Sequence, residues 1–456
     1  MPLNRDASLV GAITAMSALA NRTARDETEL LANLNGIYQA LLTADFSTFD
    51  VAAVRAAAPQ LVQQIFEAQL KLRSQIPVWA AAGLMSRPVQ TALRDLFRSS
   101  RYASEMLGEL HFRHARLMNG ETPHSAFTGP PLCTLVNPAM AAVPLTFQPG
   151  DVVLQRGRMH NSAAIARIGD VDSQFSHVAV VANGADGQLV MVEALIEEGT
   201  VITPVDKAMA HGLGRAVLFR HRDTAMAGLA AELVHDHVLR AERANNGRIL
   251  YDFTMELDIY RLLFCAKLVR MAYAMSSSGD YLIPRYPTRL DMRNRDFLDR
   301  IGVTATQTFA PGDMELETEF DIVAEWRDYR ITSELRLKDM IMTKLFLWME
   351  TEGYRFEPSL NIDMIALLGR LSTHLPSGVQ DLIASVVAKV PPNMTYDSIG
   401  AVAMLHKTAE PLYQELVQLE GESISTSGHQ LHPRAVFDAL ERIKARDPAM
   451  IGYLVK

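Results

Sequence analysis

Apolar positions in the first third of the chain recur at helical spacing: Leu30, Leu31, Leu34, Ile37 and Leu41 share one face, and Leu61, Ile65, Ala68 and Leu72 share another. Pro88 stands where a helix over Val89 to Leu117 would begin, and Gly120 where it would end. From Thr122 to Pro149 six prolines interrupt the chain, so this stretch reads as a linker without regular elements. Beyond Gly150 the period shortens to that of strands. Asp151 to Gln155, Ser176 to Val181, Gln188 to Ala194 and Arg215 to Arg220 are short apolar runs, and Asn183 to Gly187 supplies a hairpin turn between the second and third. A helix over Thr224 to Arg243, a turn at Gly247 and a helical stretch over Tyr260 to Ala274 follow. From Arg330 the helical period returns in Ile341, Leu345, Met349 and in Met364, Leu367, Leu368, Leu371, with breaks expected at Pro376, Pro391, Pro392 and Gly421 to Gly428.

This pattern predicts an α+β protein with helical flanks: a helical region over 1–121, a Pro-rich linker over 122–146, a mixed domain over 147–327 and a second helical region over 328–456. A length of 456 residues exceeds what one core usually organises, and 48% apolar with 21% charged residues suits a globular chain. The net charge of -8, with Lys and Arg scattered, lacks the basic footprint of a nucleic-acid partner. Met1 to Arg22 does not read as a signal peptide, and runs such as Val78 to Met85 are too short to span a bilayer, so synthesis in the cytoplasm is expected, with export by a leaderless secretion system left open.

With only Cys133 and Cys265, a disulfide framework is excluded. Cys265 lies in Leu262-Leu-Phe-Cys-Ala-Lys-Leu-Val269, at or near the start of an apolar helix, where free N–H groups and the helix dipole favour a thiolate. A thiol nucleophile needs a base and a group that orients the base. His177, opening an apolar strand, and Glu193, ending its hairpin partner, fit those roles if both side chains emerge on one face with the helix of Cys265 packed against it. Cys133, in the linker, reads as a bystander. The pairs His111 with His114 and His235 with His237 lack a third ligand at a recognisable spacing, so no metal or other cofactor is expected.

The ordered run of Phe147-Gln-Pro-Gly-Asp151, Ser176-His-Val178, Val192-Glu-Ala194, Tyr251-Asp-Phe253, Cys265 with Leu268 and Val269, and Ala310-Pro-Gly-Asp313 resembles the permuted branch of the NlpC-type papain-like hydrolases, the YiiX-like group. Relatives of lecithin:retinol acyltransferase share that order. The resemblance spans about Phe147 to Arg327. It implies a permuted papain-like core in which Cys265, His177 and Glu193 form the catalytic set. Ser176, Tyr251 and Asp151 are further candidates for the cleft, beside the plainer reading in which Ser176 and Asp151 shape turns and cap strands and Tyr251 packs. Ala266 and Lys267 depart from the small polar or acidic pair usual after the nucleophile. The relatives point to lipid acyl esters, the preferred expectation with its possible membrane-surface contact, or to cell-wall peptide amides. A non-catalytic binding module on the same scaffold is the competing class. A delivered antibacterial toxin with an immunity or delivery partner is a further expectation.

Overall fold

The computed structural model describes residues 9–44, 50–119, 134–140, 145–210, 213–245, 247–359, 362 and 390–456. Four helices come first: α1 (Leu9–Leu19), α2 (Glu27–Thr43), α3 (Val51–Ala81) and α4 (Arg87–Asn119). Asp26 caps α2 by accepting from the Glu29 N–H at 2.8 Å, and Asp50 caps α3 by accepting from the N–H groups of Ala52 and Ala53. The spacing legible in the sequence is the buried one: Leu30, Leu34, Ile37 and Leu41 on α2, and Leu61, Ile65, Ala68 and Leu72 on α3, all lie in the core.

The centre is a seven-stranded antiparallel sheet in the order β1-β9-β6-β2-β3-β4-β5. Its first six strands in the chain are β1 (Thr134–Val136), β2 (Val152–Arg156), β3 (His177–Asn183), β4 (Leu189–Leu195), β5 (Gly199–Pro204) and β6 (Arg215–His221). Between β2 and β3 runs the short helix α5 (His160–Ile165), and between β5 and β6 the helix α6 (Val205–Ala210). The β3–β4 hairpin closes through the Gly184 N–H bond to the Gln188 carbonyl at 2.8 Å. Side chains alternate across the strands, so each face has its own cluster. Val153, Ala179, Val181 and Met191 pack with Val205 and Met209 of α6. Val152, Leu154, Val178, Val180, Val192 and Ala194 join one large cluster with α7 (Thr224–Asn245), α8 (Cys265–Ser276) and the buried faces of α1 to α4.

Beyond α8, the two-residue strands β7 (Thr288–Arg289) and β8 (Gln307–Thr308) pair with each other around α9 (Asp296–Ile301). The strand β9 (Phe320–Arg327) then enters the sheet beside β6, and α10 (Thr332–Glu352) follows. The C-terminal helices α11 (Tyr396–Ser427) and α12 (Pro433–Arg446) pack on α10, with β10 (Arg355–Phe356) and β11 (Leu454–Val455) paired nearby.

Three expectations change. The Pro-rich stretch contributes β1, because Thr134–Val136 is free of proline and an edge strand needs a partner on one side only, here β9. Gly421 does not end α11. A Cβ there would meet nothing within 4 Å, a glycine in an exposed helix costs only about 1 kcal/mol, and the helix stops instead at Gly428 in the left-handed conformation with φ 78°. Strand β5 adds an element beyond the four runs expected, since Gly199–Pro204 lacks the alternation that would mark it. Met364, Leu367, Leu368, Leu371, Pro376 and Cys133 lie outside the described residues.

Buried charge joins these parts. Asp339 of α10 accepts from Arg156 of β2 at 2.6 Å, Arg215 of β6 at 3.0 Å and Arg167 at 3.1 Å, and all four side chains are essentially inaccessible. Glu105 of α4 also binds Arg215, and Glu109 binds Arg336 of α10 at 2.6 Å.

Candidate active site

The sulfur sits at the very start of α8. Phe264 is extended, with φ −105° and ψ 168°, and the first helical bond runs from the Leu268 N–H to the Phe264 carbonyl. The N–H groups of Cys265, Ala266 and Lys267 therefore have no helical acceptor, as in any first turn. The helix begins at Cys265 rather than near Tyr260 because the preceding residues are held as extended backbone. Leu263 donates to the Leu250 carbonyl and Asp252 donates to the Leu263 carbonyl, both at 3.2 Å, around a parallel bridge of Tyr251 with Leu263. Cys265 is 4% exposed.

His177 is the first residue of β3. Its Nε2 meets a Glu193 carboxylate oxygen at 2.7 Å, which leaves Nδ1 for the sulfur. Burial opposes charge on this ring, but hydrogen bonds and charge attraction from Cys265 and Glu193 outweigh it and push His177 up to about 10. The imidazole is thus protonated at neutral pH. His177 and Glu193 occupy positions that alternate with Val178, Val180, Val192 and Ala194, the residues that α8 covers. The polar pair consequently lies on the face opposite the one that the body of α8 covers and meets α8 at its tip, which corrects the expectation of a helix packed against the face bearing both side chains.

Tyr251 is buried beside the sulfur. Burial and the charge at Cys265 hold its phenol well above the usual range, so it stays a neutral hydroxyl. Its strand is clamped to the first turn of α8 by an ion pair, Lys267 Nζ to Asp252 Oδ2 at 2.7 Å, with neither side chain more than 5% exposed. From the C-terminal region, the Asn393 side chain donates to the Tyr251 carbonyl at 2.7 Å. The sequence carried a signal for the clamp, a lysine amid apolar neighbours, but none for Asn393.

Two residues named with the cleft are tied elsewhere. Asp151 is locked to Arg220 by two bonds of 2.8 Å and accepts from the Gln148 N–H, so it braces the Pro149–Gly150 turn; burial pushes its carboxyl up. Ser176 accepts from the Gly157 N–H at 3.3 Å, closing the loop between β2 and β3. Among the paired histidines, His111 contacts the Arg55 carbonyl at 3.2 Å and His235 pairs with Asp236 at 3.7 Å.

No curated protein and no solved structure matches this chain. Residues 146–310, a little over a third of its length, match the family described as permuted papain-like amidase enzyme, YaeF/YiiX, C92 family. The matched segment contains His177, Glu193, Tyr251 and Cys265, with the histidine ahead of the cysteine in the chain, and continues to residue 310. The chain thus carries, over residues 146–310, a circularly permuted papain-like cysteine hydrolase.

Proposed function

We propose that this protein cleaves amide bonds through a thioester on Cys265, with His177 as general base and acid and Glu193 as the group that orients the imidazole. The observation that carries the reading is the single ring of His177 bound on one side to Glu193 and on the other to Cys265. The sulfur attacks the carbonyl carbon, and the developing oxyanion lies toward the free N–H groups that open α8. The proton on His177 passes to the leaving nitrogen as the C–N bond breaks. Water then attacks the thioester and gives a proton to His177, and the C–S bond breaks to release the acid, leaving the sulfur unprotonated beside the protonated ring as at the start. Support for amides over the lipid esters expected from the sequence comes from the description of the matched family.

Incubation of the full chain with purified peptidoglycan and, separately, with phospholipid vesicles tests this. Release of new amino groups, reduced at least about 10³-fold in Cys265→Ala, is the expected result. Fatty acid as the sole product would replace the amide reading with the ester one, and turnover that survives Cys265→Ala would end both.

A further inference from the structure

Away from the cleft, three side chains with ligating chemistry converge where α5 meets α11. His160 opens α5, and His406 and Glu410 stand one turn apart on α11, which places them on the same face. One ring nitrogen of each histidine and one carboxylate oxygen all lie within 4.8 Å of one another. His160 is 2% exposed, whereas His406 is exposed to solvent. The Nε2 of His160 meets a Glu410 oxygen at 2.8 Å, and the His406 ring stands edge-on to it at 5.3 Å between centroids. A plain tie between two helices accounts for that one bond. It leaves His406 without a reason to converge, and it leaves His160 Nδ1 buried with no partner.

We propose that His160, His406 and Glu410 form a binding site for a divalent transition metal, with Zn²⁺ the best-suited ion and solvent completing its coordination. Two imidazoles and a carboxylate are a borderline-soft donor set suited to zinc and poorly suited to Mg²⁺. Ligand atoms about 2 Å from a tetrahedral zinc are about 3.3 Å apart, so atoms that now lie within 4.8 Å of one another need to draw together by up to about 1.5 Å, which the exposed His406 side chain can supply. The Lys338 ammonium opposes a cation here, and it is engaged by Glu334 at 2.8 Å and by the Arg158 carbonyl at 2.9 Å. An ion so placed would fasten α11 to the loop that leaves β2.

Isothermal titration of the full-length Cys265→Ala chain, free of any polyhistidine tag, with ZnCl₂ is the test; the background removes the sulfur of the cleft as a competing ligand. One equivalent of Zn²⁺ binding in the micromolar range or tighter, with no comparable Mg²⁺ signal and a raised unfolding midpoint, is expected. His406→Ala and Glu410→Gln, both on the outer face of a long helix, should each weaken binding at least about tenfold while circular dichroism stays unchanged. Zinc heat no greater than that of MgCl₂, or either variant retaining the parent affinity, overturns the site.

Discussion

At the scale of single residues, His177 decides how the site responds to pH. Its pKa rises from an unfolded value of about 6.5 to about 10. The stability this adds is complete below about 6.5 and is lost as pH rises through about 10. Turnover should fall over the same alkaline range, because an unprotonated ring cannot protonate the leaving nitrogen. Glu193→Gln removes one of the two stabilising partners, so the alkaline limb of the pH–rate profile should move down and kcat should fall roughly 10- to 100-fold. A limb that stays in place would separate Glu193 from the titration of His177. Lys267 and Asp252 give a second residue-scale expectation. Asp252→Ala strands a buried ammonium and should cost about 3–5 kcal/mol in urea unfolding, whereas joint replacement by Lys267→Met and Asp252→Leu should recover most of that.

At the scale of elements, the turn before β2 depends on Gly150, with φ 88° and a missing Cβ that would run into the Ala227 carbonyl of α7. Gly187 in the β3–β4 hairpin has a similar φ of 81° but open space around it. Gly187→Ala should therefore cost only the left-handed strain of about 1–2 kcal/mol, and Gly150→Ala clearly more. Equal losses on thermal unfolding would mean that close packing on α7 does not matter. The same elements mark how far the sequence could be read. The place of His177 followed from a short apolar run before a hairpin turn, and that of Cys265 from a cysteine heading an apolar run, although the helical stretch expected from Tyr260 begins only at Cys265. Strand β1 was hidden because its pairing with β9 is long-range and its neighbours are prolines. The contacts of Asp151 with Arg220 and of Asn393 with Tyr251 were equally invisible, since no local period encodes which distant side chain will share a carboxylate or carbonyl. Asp151, in a Pro-Gly-Asp motif within the matched segment, uses its carboxylate to hold a turn together.

Taken whole, the molecule is fastened by charge that no water reaches. Burial opposes ionisation of Asp339, but Arg156, Arg167 and Arg215 together hold its carboxyl far below the usual carboxylate range. That contribution is present above the unfolded value near 4 and is lost only in strong acid. Asp339→Asn leaves three guanidinium groups facing an amide and should destabilise by about 3–5 kcal/mol, read as a lower urea midpoint and an earlier acid transition. Wild-type behaviour in both would mean that solvent enters and screens the cluster. Because Glu105 on α4 and Asp339 on α10 grip the same Arg215 of β6, the flanking helices and the sheet share this network.

The sheet order has a consequence for how the enzyme comes into being on the ribosome. The proposed base, His177, and its orienting carboxylate, Glu193, belong to one hairpin and can meet early, whereas the sulfur arrives about seventy residues later. The edge beyond β6 waits longer still, for β9 to slot between it and β1. A nascent chain halted before Phe320 would hold all three proposed catalytic residues and yet lack the strand that completes its scaffold, so hydrolytic competence should emerge late in translation.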